Sequence, residues 1–332
     1  VTAQTLVQSP AGRVPMEESV ETQGPVADGD SPRAVYDSHI IEDEPTISIE
    51  TEHGFRLEGS GRHRVRSAEG TWVSLAELAV GDGVQLAGGQ ELWPSEPVTV
   101  DWGATSGPAN ATETGQRART AGPSRPPWVG TDDGRSDGGR LPSALSPAFG
   151  RLLGAVAGAG RIECDTATVS IRSQTEGAAQ ALRSQFDELF GVSPTVERIE
   201  DGWRVQVGAP WVARSLQDAF ELPSDGTAVR GVPEELLRSP RAAVRAYLEG
   251  LADAAGAVDA EGVRIAVPSM RAAQVLQQLL LNFGILASSR PPDTARPALV
   301  LEGAEAASFE RTIGFRDRES RERLATYTDG VE

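Results

Sequence analysis

The chain has 332 residues, enough for two or three domains that each bury a core. Its 48 acidic residues outnumber 31 basic ones, all arginine, for a net charge of −17; this excludes general adhesion to nucleic acid or anionic lipid but leaves room for a local basic groove. The single Cys164 excludes an intramolecular disulfide and a cysteine-rich metal site, no apolar run is long enough to span a membrane, and VTAQTLVQSPAGR lacks the features of a signal peptide, so a soluble cytoplasmic protein is expected.

Residues 1–94 alternate in short period-two runs joined by glycine turns: PTISIET, a turn at His53-Gly54, FRLEG, HRVRS, WVSLAEL and VGDGVQL. This pattern predicts an all-β module. In residues 95–145 Gly, Pro, Ser, Thr, Asp and Arg dominate. Such a segment buries too little apolar surface to offset its ordering entropy, and a disordered linker is expected. Residues 146–325 read as an α+β domain with an internal repeat, its halves about 146–230 and 231–325. The first half predicts a glycine-rich helix over 148–158, the strand TVSIRS, a helix over 175–190, strands around Val196 and over 203–207, and a helix over 210–220. The second predicts a helix opened by Pro240 with Ser239 as N-cap, the strand GVRIAVPS, a helix over 270–283, the strand ALVLEG and a last helical stretch.

The two glycine-rich helices are the most informative segments. Leu152 to Gly160 reads LLGAVAGAG, and Tyr247 to Gly256 reads YLEGLADAAG. Gly154 and Gly158 stand four apart on one face, as do Gly250 and Ala254. Small residues at that spacing let two helices approach closely. An alanine precedes each closing glycine, Ala159 and Ala255.

With LLLNFGILAS downstream and IGFRDRESRERL at 313–324, these segments resemble the LAGLIDADG homing endonucleases, in particular those lodged inside inteins. The resemblance implies a pseudo-twofold domain of αββαββα type with two central helices, acting as a monomer on double-stranded DNA. In the family an acid at the end of each helix holds Mg²⁺ for phosphodiester hydrolysis, a task suited to carboxylate oxygens. Those positions map onto Ala159 and Ala255, and the family's assisting lysine has no counterpart. Asp253 stands two residues before its vacated position, on another face. Glu163, Asp165 and Asp259 lie nearby, but Mg²⁺ demands near-octahedral geometry. No bound metal and no cleavage are expected. The family lays β-ribbons in the major groove, which makes Arg161, Arg172, Arg198, Arg204, Arg264 and Arg290 the candidate DNA contacts. Phosphate contacts of that kind need no metal acids, so a residual DNA-binding scaffold is the alternative reading. Nothing in the pattern supports a small-molecule enzyme.

Residues 1–94 resemble the N-terminal part of an intein's Hint-type splicing domain. Thr5-Leu6-Val7 and Val14 to Glu18 resemble its opening block. ISIETEHGFRLEGSGRHRV resembles the next block, with signature Thr-x-x-His, here Ser60 and His63. The resemblance gives His63 the task of protonating the departing amide nitrogen, with a hydroxyl from Ser60. His39 and His53 have no such support and read as solvated turn residues. A Cys or Ser nucleophile belongs at or just before Val1, and the family's last blocks lie beyond TYTDGVE, so the chain as written is not expected to splice itself from its host extein. The acidic, lysine-free composition suits a high-salt, haloarchaeal cytoplasm.

Overall fold

Residues 1–77 form four separate antiparallel strand pairs. β1 (Leu6–Ser9) pairs with β2 (Gly12–Pro15), and β3 (Val26–Asp28) with β4 (Ser31–Arg33). β5 (Thr46–Glu50) pairs with β6 (Arg56–Ser60), and β7 (Arg64–Arg66) with β8 (Trp72–Ser74). The segment is not all β. Helix α1 (Met16–Thr22) follows β2, because MEESVET lacks alternation and places Glu17 and Glu18 in a first turn that favours negative charge. This computed structural model describes residues 1–28, 31–102, 139–163, 166–220, 225–228, 232–290 and 297–330, with the backbone alone at 225–228 and 290.

The linker expectation is corrected at both ends. Val100 N donates to Ser143 O at 3.1 Å, and Leu145 N to Val98 O at 2.8 Å. The Trp102 ring stacks on Phe149 at 5.7 Å and meets Phe220 edge-on at 5.9 Å. Val100, Trp102 and Leu145 supply the apolar surface that composition averaged over the segment conceals. The middle of the expected linker, residues 103–138, lies outside the described residues.

The remaining elements alternate helix and strand pair. α2 (Pro147–Ala159) leads to β9 (Gly160–Glu163), β10 (Thr168–Ser173), α3 (Glu176–Phe190), β11 (Thr195–Ile199), β12 (Gly202–Val207) and α4 (Pro210–Phe220). β13 (Asp225–Ala228) and α5 (Glu234–Leu237) connect to the second half. There α6 (Arg241–Ala255) leads to β14 (Gly256–Asp259), β15 (Gly262–Ala266), α7 (Met270–Asn282), β16 (Ser288–Arg290), β17 (Ala298–Leu301), α8 (Gly303–Thr312) and α9 (Arg318–Asp329). The first half carries an antiparallel sheet of order β11-β12-β10-β9-β13, the second one of order β14-β15-β17-β16.

Side-chain caps start α2, α3 and α7: Ser146, Thr175 and Ser269 accept from Phe149 N, Ala178 N and Ala272 N. Ser239 does not cap α6 as expected. Pro240 occupies the N-cap, and the Ser239 hydroxyl turns back to Glu235 O at 2.7 Å, closing α5 instead.

The crossing of α2 and α6 organises the domain. A Cβ on Gly154 would stand 2.0 Å from Tyr247 O, and one on Gly250 would stand 2.0 Å from Arg151 O. These contacts are reciprocal. Gly154 and Gly250 each lie five residues before their helix-ending alanine, and Arg151 and Tyr247 each lie eight before it. The same register repeats lower down, where a Cβ on Gly158 would stand 3.1 Å from Ala254 Cβ. Backbone therefore lies on backbone along a pseudo-twofold axis, as the spacing of small residues predicts.

The N-terminal hairpins are packed onto the second half. Arg13, on β2, reaches Gln278 and Asn282 of α7 at 2.8–3.1 Å. Asn282 in turn donates to Gln8 at 3.0 Å, and Trp93 packs on Phe283 with ring centroids 4.9 Å apart. His53, expected as a solvated turn residue, has its carbonyl at this contact, accepting from Gln277 Nε2 at 2.7 Å and Ser289 N at 2.9 Å. His39 is solvent-exposed beside Asp37. Gly12 combines a positive φ of 101° with a Cβ position 2.2 Å from Leu237 O, so only glycine fits that corner.

Identical chemical changes should therefore have opposite signs at different glycines. Gly154→Ala and Gly250→Ala should each destabilise the chain by about 2–3 kcal/mol, since overpacking against backbone outweighs the helix propensity gained. Gly177→Ala on α3, where a Cβ meets nothing within 4 Å, should stabilise it by about 0.5–1 kcal/mol. Urea unfolding of the three variants checks the contrast.

Candidate nucleic-acid interface and helix-end site

Strand parity sorts the candidate arginines. In the first sheet Ile162, Val169, Ile171, Val205 and Val207 are buried against the helices. Their neighbours face outward. The register sets Arg161 opposite Ser170, Ser170 opposite Gln206, and Arg172 opposite Arg204. Arg161, Arg172 and Arg204 thus share one face and line a cavity of about 180 Å³ with Glu163, Ser170 and Gln206. Arg204 is paired with Glu197 at 2.9 Å. Arg161 and Arg172 have no carboxylate partner among the described residues.

Arg198 does not join this face. It pairs across the ladder with Trp203, whose parity is that of Val205 and Val207, and its guanidinium lies 5.9 Å from the Trp203 ring centroid. The parity was readable in the sequence, because Arg198 stands two residues after Val196. Ser170 and Gln206, not among the expected contacts, stand on the arginine face by the same rule.

The second sheet carries less positive charge. Arg264 is opposite Ala257 and Val300, and its guanidinium is within 3.4 Å of Glu261 and 4.0 Å of Asp259. Arg290 ends β16 opposite Ala298. The two halves, alike in backbone, therefore differ in surface charge.

The helix ends meet beneath these sheets. A Cβ on Gly158 would lie 3.1 Å from both Ala254 Cβ and Ala255 Cβ. A cavity of about 360 Å³ opens there, lined by Ala159, Ala255, Arg161, Arg172, Gln174 and Asp201 among others. Asp201 is the one carboxylate among the described residues that line it. Glu163 accepts from the Thr166 hydroxyl at 3.1 Å and shares the arginine cavity with Ala159. Asp259 accepts from Glu261 N at 2.8 Å within its own turn. Asp165 lies outside the described residues. Among the described residues no three His, Cys, Asp or Glu side chains are grouped to hold a metal. Two methyl groups, two guanidiniums and one carboxylate do not fit a divalent cation that requires several oxygen ligands.

Asp253, two residues before Ala255, has a structural task. Its Oδ1 accepts from Arg316 N at 2.9 Å and Asp317 N at 3.1 Å, holding the turn that precedes α9 against α6. Burial pushes its carboxyl up to about 6, opposed by those two hydrogen bonds. Asp317 continues the tie, accepting from Thr175 of the first half at 2.7 Å.

In the N-terminal module the backbone pins His63. Its N donates to Ser60 O at 2.9 Å, and its carbonyl accepts from Leu75 N at 2.8 Å. A Cβ on Gly59 would lie 3.4 Å from both His63 Cβ and Val1 Cα, so His63 and Val1 are neighbours. Burial lowers the imidazole pKa.

Residues 242–314 match the family described as a LAGLIDADG-like domain, and the chain carries such a domain there. Similar solved structures include I-DmoI in complex with DNA and Mn, at 17% identity, covering 51% of this chain and 97% of that one with a TM-score of 0.40. Full-length DUF199/WhiA from Thermatoga maritima is similar at 14% identity, covering 55% of this chain and 61% of that one with a TM-score of 0.41. No curated protein matches. Among the described residues no helix is long and apolar enough to cross a membrane.

The raised Asp253 carboxyl makes stability depend on pH. Between about pH 4 and 6 the folded chain keeps a proton that the unfolded chain releases, so stability falls as pH rises through that window. Thermal unfolding at pH 5 and pH 7 should show a larger gain on acidification for the wild type than for Asp253→Asn. The difference should be on the order of 1 kcal/mol after discounting for partial exposure.

Proposed function

We propose that the chain is an intein-derived LAGLIDADG protein that binds double-stranded DNA as a monomer and does not cleave it. The observation that carries this reading is the cluster of Arg161, Arg172 and Arg204 on one sheet face, directly beside two helix ends closed by Ala159 and Ala255. Guanidiniums on an exposed sheet suit phosphate contacts along a groove. The net charge of −17 opposes non-specific binding and confines attraction to this face. A cytoplasm of high salt, to which the acidic composition is suited, weakens such contacts and favours shape and base readout.

The test uses a duplex spanning the host gene's insertion point with this chain's coding sequence removed. An electrophoretic shift is expected. Arg161→Gln, Arg172→Gln and Arg204→Gln should each weaken it several-fold, and each should reduce the salt slope by about 1. Arg198→Gln, on the other face, should leave it unchanged. With Mg²⁺ or Mn²⁺ no double-strand break is expected from the wild type, and cutting by Ala159→Asp/Ala255→Asp would support the family assignment. Specific cleavage by the wild type overturns the inactive reading, and absence of a shift overturns the DNA-binding one.

A second reading applies to residues 1–94, as a partial Hint-type splicing module belonging to the same element. The placement of His63 and Val1 on either side of Gly59 favours it, since a general acid for a departing amide must stand near the first residue. A reporter domain joined through a Cys placed directly before Val1 should be released by added thiol, and His63→Ala should slow that release at least tenfold. Release that is indifferent to His63 would remove the support for this reading.

A further inference from the structure

We infer that the cavity at the ends of α2 and α6 is a metal-free seat for one phosphate group, held by Arg161 and Arg172. The inference rests on the DNA reading only for what carries the phosphate. The cavity, about 360 Å³, is walled by Ala159, Ala254 and Ala255 and bounded by the two arginines. Its donor set does not fit a divalent cation, which requires several oxygen ligands. Both helices nevertheless end here, at Ala159 and Ala255, and a helix C-terminus carries partial negative charge that favours a cation. With methyl groups at those ends, the guanidiniums are the positive charges that share the cavity with them.

Arg161 stands opposite Ser170 across the β9–β10 ladder, and Arg172 lies two residues beyond Ser170 on the same strand. The two arginines are therefore diagonal neighbours on one sheet face, a separation that long side chains bridge. Neither has a carboxylate partner among the described residues. Gln174 adds an amide donor, and Asp201, in the turn between β11 and β12, adds one carboxylate. Two guanidiniums against one carboxylate leave the lining net positive. Two such forks aimed at a shared group are suited to phosphate oxygens. The second half does not repeat the seat. Gly160 pairs with Ile171, and Gly256 pairs with Ile265. The pseudo-twofold axis therefore carries Arg161 onto Ala257 and Arg172 onto Ala266. Ala266 lines the cavity but brings no charge. Donors from one half alone suit a single phosphate on one strand, not a symmetric pair across the groove.

Calorimetric titration of the full chain with inorganic pyrophosphate, in EDTA at low ionic strength, tests the seat apart from DNA. One saturable site is expected. Arg161→Gln and Arg172→Gln should each weaken it about tenfold, and Arg198→Gln, on the other sheet face, should leave it unchanged. The duplex spanning the insertion point then identifies the phosphate. Single methylphosphonate linkages, which carry no charge, are placed in turn along each strand, and the electrophoretic shift is measured in EDTA. One central linkage on one strand should weaken the shift about tenfold, and in Arg172→Gln the same linkage should cost less than about threefold. Pyrophosphate binding indifferent to both arginines, or no saturable binding at millimolar concentration, would overturn the seat. Equal sensitivity at central linkages of both strands would overturn its restriction to one phosphate. Arginine-dependent pyrophosphate binding with no DNA shift would support the seat and overturn the DNA reading instead.

Discussion

The close crossing of α2 and α6 is the constraint on which the rest depends. Carbonyl oxygens of Arg151 and Tyr247 occupy the space where side chains of Gly250 and Gly154 would be. Here backbone of one helix stands where side chains of the other would be, and both sheets pack against a single continuous core. The helix ends arrive side by side because the register is fixed above them. Whatever residues stand at 159 and 255 are brought together by glycines five positions earlier. The ion pair of Arg151 with Glu249 at 2.7 Å crosses the same interface and fixes its register with charge as well as shape.

Around that symmetric axis the molecule is asymmetric in its attachments. The second half is covered by the N-terminal hairpins, through Arg13, Gln8 and Trp93. The first half presents an open arginine-bearing sheet. The turn at His53-Gly54 touches Ser289 on β16, while the other end of the same hairpin carries Ser60 and leads to His63. One two-stranded ribbon therefore runs from the second sheet to the N-terminal histidine. Buried hydrogen bonds such as Asn282 to Gln8 and Arg13 to Asn282 are costly to leave unmade, so the N-terminal hairpins are tied directly to the second half.

Much of the repeat was legible because its signals are local. Period-two runs and glycine spacing on two helices depend on neighbours in sequence. The elements that escaped depend on distant partners. Val100 and Trp102 sit in a polar stretch and are ordered only because Leu145 and Phe149 wait for them. Arg13 reads as a turn arginine until α7 is placed over it. Arg198 was grouped with the DNA-facing arginines on residue type alone, although its parity with Val196 already placed it on the other side.

The alanines at the helix ends also have a thermodynamic reading. Two carboxylates forced together without a metal repel each other and lose solvation, and one must take up a proton or the interface must loosen. The crossing does not allow loosening, because backbone contacts at Gly154 and Gly250 fix the separation. Without a metal, methyl groups at 159 and 255 are therefore the more stable occupants of this interface, while side chains at Gly154 and Gly250 would strain it. Asp253 shows the same pressure from the opposite direction. It is a half-buried acid with its carboxyl pushed up to about 6, kept where two backbone N–H groups need an acceptor. Acids stand at this interface where donors satisfy them: Asp253 by two backbone N–H groups, Glu249 by Arg151 and Arg245.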